Sequence, residues 1–250
     1  MKILVTAGNT QVPIDRVRAI TNIFTGRTGT GIAICAHERG HQVALLTSHP
    51  DVVTQLSRKG DLSSDRWIMR SYRTFDDLRK SMESEVQSGA YGVVIHSAAV
   101  SDYQSAGIYS PIPGTRFDPP LASWQVSGGG APRLQDRAAA KVKSDDPELW
   151  LRLVRTPKLI DFVRREWRFP GILVKFKLEV GVDEKSLLET AERSRRESEA
   201  DLMVANTLEG VNQWAMLGPL EGEYRRVSRH ELAVRLLEAV EAFHKERGNG

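Results

Sequence analysis

Four short segments of this 250-residue chain carry residue types suited to chemistry on anions and carbonyl groups. The first is Thr6-Ala7-Gly8-Asn9-Thr10, followed later by Thr25-Gly26-Arg27-Thr28-Gly29-Thr30-Gly31. Glycine lets a backbone approach a ligand closely, and unpaired N–H groups at a helix start attract phosphate. The same spacing also describes a tight structural turn. In a dinucleotide-binding fingerprint the glycines follow the first strand at once. Here roughly 18 residues intervene, and they include Arg16, Arg18 and Asn22. The second segment is His96-Ser97-Ala98-Ala99-Val100-Ser101-Asp102-Tyr103. Its small residues admit a ligand, and Asp102 can accept from a hydroxyl or amine or simply close a turn; His96 reads as a core histidine. The third is Ala140-Lys141-Val142-Lys143-Ser144, where Lys141 can neutralise polyphosphate charge or stand solvated on the surface. The fourth is Thr156-Pro157-Lys158-Leu159, an expected N-cap with Pro at the first helical position and a second possible anion site. Lys175-Phe176-Lys177 and the Arg193, Arg195, Arg196 stretch add positive charge, or a solvated face.

Positioning these segments requires strands and helices in alternation. Apolar runs at Ile3 to Thr6, Val43 to Thr47, Val93 to His96, Ile172 to Leu178 and Leu202 to Ala205 read as strands covered on both faces. Between them, Thr28 to Arg39 has helical spacing and stops at Gly40, and Cys35 falls on its apolar face. Thr74 with Asp77, and Ser228 with Glu231, have capping-box spacing. Asp183 opens a further helix. The pattern predicts an α/β fold: a Rossmann-like, mostly parallel sheet with helices on both faces. Trp214 to Val227 reads as a C-terminal β-hairpin. Tyr103 to Arg137 holds five of the eleven prolines and Gly128-Gly129-Gly130, so residues 104–140 are expected to form a long protruding, flexible arm, either a lid or a dimer contact. The whole of 1–250 is expected to be a single domain with that arm inside it.

Composition excludes several classes. The net charge of +3 comes from 35 basic and 32 acidic residues without a clustered basic stripe, which argues against nucleic acid. No apolar run reaches the ~18 residues of a membrane span. The single cysteine rules out a disulfide within the chain and suits a reducing compartment. The N-terminus starts on a strand pattern with no signal segment, so a cytoplasmic protein is expected. The histidines and carboxylates show no transition-metal ligand spacing.

Taken in order, these segments resemble phosphopantothenate–cysteine ligase. The opening strand, then Pro13-Ile14-Asp15-Arg16-Val17-Arg18-Ala19-Ile20-Thr21-Asn22 and Thr25-Gly26-Arg27-Thr28-Gly29, is similar to the start of that family. Ala98 to Tyr103, Ala140 to Lys143, Arg155 to Lys158, Phe176 to Glu179 and Ala200 to Asn206 match its later blocks, so that the likeness runs to about residue 210. It is nearest the stand-alone bacterial form without a fused flavin-dependent decarboxylase. The resemblance implies a two-step reaction of coenzyme A biosynthesis. With Mg²⁺, the carboxylate of 4'-phosphopantothenate attacks CTP, giving an acyl-cytidylate and pyrophosphate; the amine of cysteine then displaces CMP. It assigns Asn22 and Arg18 to the acyl group and Lys141 to the nucleotide phosphates. Ala98, Asp102, Thr156, Pro157, Lys158, Leu159, Phe176 and Arg193 would surround CTP, with Gly8, Gly26, Arg27 and Gly29 as a substrate or phosphate loop. A homodimer is expected, and the metal ligands stay unassigned. The sequence departs from the family at Asn9, Thr207, Lys175 and Glu197. The alternatives are a short-chain NAD(P)-dependent reductase, whose Tyr-x-x-x-Lys is missing, and a non-catalytic nucleotide-binding protein.

Overall fold

The first strand, β1 (Lys2–Ala7), sends Ile3, Val5 and Ala7 into one apolar layer and Leu4 into another, all fully buried. Cover on both faces is what a strand inside a parallel sheet needs. The computed structural model describes residues 1–57, 62 and 65–248. After β1 come the short strands β2 (Gln11–Pro13) and β3 (Ala19–Thr21), then α1 (Arg27–Glu38), β4 (Gln42–Thr47) and α2 (Asp51–Leu56). Next are β5 (Trp67–Ser71), α3 (Phe75–Ser88) and β6 (Val93–His96). A run of strands follows: β7 (Tyr103–Pro111), β8 (Thr115–Asp118), β9 (Ser123–Val126), β10 (Leu134–Asp136) and β11 (Trp150–Arg155). Then come α4 (Leu159–Arg165), β12 (Ile172–Glu179), α5 (Glu184–Glu197), β13 (Leu202–Thr207), β14 (Trp214–Leu220), β15 (Glu223–Ser228) and α6 (Leu232–Gly248).

These elements form two compact units rather than one domain with an arm. The larger comprises Met1–Thr10, Asn22–Val100 and Lys158–Gly250; the smaller comprises Gln11–Thr21 and Ser101–Pro157.

The larger unit is an eight-stranded sheet in the order β15-β14-β13-β12-β6-β1-β4-β5. From β13 to β5 every neighbouring pair is parallel, while β14 and β15 continue the sheet antiparallel. Helices α1 and α6 cover one face, through Ile32, Ala33, Leu236 and Val240. Helices α3 and α4 cover the other, through Leu78, Met82, Leu159 and Val163, and α5 packs beside Met203 and Met216. Burying each of the larger of these side chains contributes roughly 1.5–3 kcal/mol. This is the expected Rossmann-like arrangement. From β1 the chain steps outward to β4 and β5, then returns through β6 and grows toward β13. The carboxyl ends of β1 and β6 are therefore the topological switch point, where open α/β sheets form a ligand crevice. No helix among the described residues is long and apolar enough to cross a membrane.

The smaller unit corrects the expectation of a flexible arm. Residues 104–140 are largely strand: β7 pairs antiparallel with β10 and β11, and β8 pairs with β9. The prolines that suggested a loop sit at strand ends and turns, with Pro111 closing β7 and Pro113, Pro119 and Pro120 in the turns around β8. Phe117, Trp124 and Trp150 form an aromatic cluster with ring centroids 4.6–5.4 Å apart, giving the strands a core.

In the larger unit, two glycines place α1. Gly26, its N-cap, is left-handed (φ 80), and a Cβ there would lie 2.1 Å from the Gly8 backbone nitrogen. At Gly29 a Cβ would lie 2.2 Å from Ser97 Oγ. Gly31 meets nothing within 4 Å. Gly26→Ala should therefore cost about 1–3 kcal/mol through overpacking, whereas Gly31→Ala should gain up to about 1 kcal/mol of helix propensity. Urea midpoints at unchanged m-value measure both.

Candidate active site

At the switch point the two strand ends stay stitched together beyond their last paired residues. Ser97 Oγ donates to the Thr6 carbonyl (2.8 Å), the Ala99 N–H to the Gly8 carbonyl (2.8 Å) and the Thr10 N–H to the Ala99 carbonyl (3.3 Å). Ala98 donates its N–H to Thr6 Oγ1 (3.3 Å), which also lies 2.9 Å from His96 Nδ1. Small side chains at 97–99 make this closeness possible.

Asn22 is held within this network. Its Nδ2 donates to the Ala99 carbonyl at 3.0 Å, and its own carbonyl accepts from Asn9 Nδ2 at 2.7 Å. Asn9 is itself fixed, its N–H donating to Ser48 Oγ at 2.8 Å. A carboxamide nitrogen has two hydrogens, so one remains for a ligand. Asn22 thus presents an oriented, neutral donor beside Ala99, and Asn9 supplies part of the orientation. Gly8, Gly26 and Gly29 pack helix against strand ends, the structural alternative that the sequence left open. Arg27 turns to α2, donating to Gln55 Oε1 at 3.1 Å.

In the smaller unit, one carboxylate ties the Arg18 turn to the backbone beside Lys141. Asp15 accepts from the N–H groups of Val17 (2.8 Å) and Arg18 (2.7 Å) through Oδ1, and from Arg18 Nη2 (2.7 Å) and the Val142 N–H (3.0 Å) through Oδ2. The Arg18 guanidinium above all, then the Val17 N–H, holds the Asp15 carboxyl well below the usual range. Arg18 Nη2 also donates to the Val142 carbonyl (2.8 Å), and the Arg16 N–H to the Ala140 carbonyl (3.1 Å). Lys141 lies between these two anchored residues with its side chain exposed. The expectation that its backbone rejoins the fold loosely gives way to a hydrogen-bonded attachment. Thr156 is likewise not the N-cap expected. Its N–H donates to the Asp102 carbonyl (2.9 Å) and its hydroxyl to the Ser101 carbonyl (2.7 Å). Pairing with 101–102 keeps the chain extended through Pro157, so α4 begins at Leu159 with Lys158 as an uncapped N-cap residue.

The remaining candidates belong to the larger unit. Lys158 pairs loosely with Glu197 (3.9 Å), and Arg193 is exposed on α5. Leu159 is core, leaving only its backbone to a ligand, and Phe176 packs partly against the α1–α6 layer. Sequence reasoning treated Lys175 as a strand-end charge. It is 8% exposed, its Nζ donating to the Ser194 carbonyl (2.9 Å) and Ser198 Oγ (3.0 Å) near the end of α5. Burial lowers its pKa to about 8. Beside it in register lies His96, which burial, and then Lys175, push down to about 4. Sequence reasoning also missed Asp15 as the organiser of the Arg18 turn. Its spacing to Val17 and Arg18 was the available signal.

A mostly parallel sheet with helices on both faces and a topological switch point at β1 and β6 defines a Rossmann-like α/β protein. The chain belongs to the DFP family, the DNA/pantothenate metabolism flavoprotein C-terminal domain, whose profile matches residues 1–110 and 132–243. The DNA/pantothenate metabolism flavoprotein from Streptococcus pneumoniae has a similar solved structure. It is 32% identical with a TM-score of 0.74, covering 98% of this chain and 100% of that one. The coenzyme A biosynthesis bifunctional protein CoaBC of Thermococcus kodakarensis is 31% identical over 96% of this chain, which spans 51% of that relative's length. Phosphopantothenate–cysteine ligase 2 of Oryza sativa subsp. japonica is 22% identical over 98% of this chain and 80% of its own length.

His96 provides a pH test of the crevice wall. An unfolded histidine takes up a proton near pH 6.5, which the buried one resists until about pH 4. The native state should therefore lose stability as pH falls through that window, by roughly 2 kcal/mol between pH 7 and pH 5. His96→Gln should flatten this part of the profile, as read from urea unfolding at the two pH values.

Proposed function

We propose that this chain is a cytoplasmic ligase joining 4'-phosphopantothenate to cysteine by way of an acyl-cytidylate. Family membership and the names of its relatives support the reaction class, and the oriented Asn22 amide is the observation that carries the reading. In the first step a carboxylate oxygen of the substrate forms a bond to the α-phosphorus of CTP, and the α–β phosphoanhydride bond breaks, releasing pyrophosphate. In the second, the amine of cysteine attacks the acyl carbon, loses a proton and expels CMP. Negative charge develops on the acyl oxygen as the amine attacks, and a fixed neutral N–H donor lowers that barrier. Asn22 is our candidate for this role, Arg18 for orienting the carboxylate and Lys141 for the phosphates. Ala98, Asp102, Thr156 to Leu159, Phe176 and Arg193 remain our candidates for the nucleotide.

Among the described residues no group of three or more His, Cys, Asp or Glu side chains could hold a metal ion. That donor set fits Mg²⁺ carried mainly by the triphosphate, its usual mode, with water and at most one or two carboxylates. The magnesium would draw charge from the leaving pyrophosphate.

Purified protein with phosphopantothenate, cysteine, CTP and Mg²⁺ should release pyrophosphate and form the amide, without oxidising NADPH. Asn22→Ala should lower amide formation about 100- to 1,000-fold, the usual effect of losing one such donor. Near-normal turnover by the folded variant would remove Asn22 from the mechanism.

A homodimer is the second element of the reading. The smaller unit exposes Leu121, Leu134 and Leu153, and exposed apolar area of this kind marks contact surfaces. Light scattering at micromolar concentration should give twice the mass of the chain; a monomer would overturn the assignment.

A further inference from the structure

A groove of about 940 Å³ runs along one face of α1 in the larger unit, bordered by α2 and the start of α6. That volume lies in the range of small-molecule sites. Its chemistry is graded along its length. At one end are two guanidinium groups, Arg27 and Arg229. Arg27 donates to Gln55 and Arg229 to Thr28 Oγ1, both neutral partners. Among the described residues neither forms an ion pair. Burial by itself pulls the half-buried Arg229 below its usual pKa, with no carboxylate to offset it. An anion in the groove would give these two guanidinium groups a counter-charge that no described residue supplies. The middle is apolar, floored by Ile34, Leu56 and Leu232. Glu38 stands at the far end, about three turns along α1, or about 16 Å at the helical rise.

The floor also contains a glycine with no duty inside the fold. Gly26 and Gly29 are required by backbone and side chains packed against them, but a Cβ on Gly31 would meet nothing within 4 Å. Glycine is a poor residue for a helix interior. What it offers here is bare backbone on the groove floor, over which a flat group can lie.

We propose that this groove is a second ligand site, apart from the switch-point crevice, for a small phosphate ester bearing a flat apolar group. The phosphate sits on Arg229 and Arg27, and the apolar group lies over Gly31. The inference stands independently of the ligase reading, since none of its tests measures turnover.

Cys35, the chain's single cysteine, lines the groove and reports its occupancy. Labelling of the native protein by a disulfide reagent at mildly alkaline pH, where a thiol raised by burial still reacts, should slow roughly tenfold with saturating 1-naphthyl phosphate. Inorganic phosphate or 1-naphthol at the same concentration should protect much less, and Arg229→Met should lose the protection. Calorimetric titration with 1-naphthyl phosphate should show binding to the wild type and at least a tenfold weaker affinity for Gly31→Leu. The added side chain enters open space on a helix, so that variant should fold. Equal protection by phosphate alone, or by naphthol alone, would overturn the two-part site. Absence of calorimetric binding, or binding unchanged in both variants, would overturn the site altogether.

Discussion

The close approach of α1 to the ends of β1 and β6 is the constraint from which the crevice follows. Backbone at Gly26 lies against backbone at Gly8, and Gly29 against Ser97, with no room for a Cβ at either place. A side chain can rotate away from a clash more readily than backbone can move, so the contact of Gly26 with Gly8 fixes where the helix starts. The segment leading into it must then pass over the strand ends. Asn22, four residues before Gly26, is caught there between Ala99 and Asn9. A donor held by two partners keeps its direction, and electrostatic stabilisation depends on direction settled before the reaction begins.

Next to this wall the sheet accepts a buried cation, which is costly unless the charge is satisfied. Lys175 meets the cost through a carbonyl and a hydroxyl near the end of α5, where free carbonyls carry partial negative charge. Burial in the apolar layer above all, and then the neighbouring Lys175 ammonium, disfavour a proton on His96. A sheet interior that holds one positive charge and refuses another keeps the His96 ring neutral across the physiological range.

In the smaller unit a single carboxylate organises the turn at 15–18, away from the aromatic core of the strands. Asp15 gathers two backbone donors from its own turn, one from Val142 and the guanidinium of Arg18. Ionised acceptors make the stronger hydrogen bonds, and five donors on two oxygens leave the turn little freedom. The Arg18 turn is thereby tied to the backbone on either side of Lys141, although 123 positions separate the two residues in the chain.

Much of the larger unit was legible in the residues themselves. Runs buried on both faces, the capping box at Thr74 and the Asp183 cap describe local backbone preference, and each is realised where the pattern placed it. Ser228 instead ends β15 and bonds Glu231 in the turn before α6. Glycine spacing and small residues after β6 likewise marked where α1 comes down on the ends of β1 and β6. Other features were decided by partners distant in sequence. The 104–140 stretch becomes strands because its aromatic residues find one another and its edges find β11, which no local propensity among prolines could announce. Thr156 has every local mark of a helix cap, yet Asp102 takes its N–H first. Lys175 reads as a surface charge until the Ser194 carbonyl and Ser198 hydroxyl are there to receive it. Local preference is written in neighbouring side chains, whereas a hydrogen bond or ion pair across the fold exists only once packing has brought both ends together.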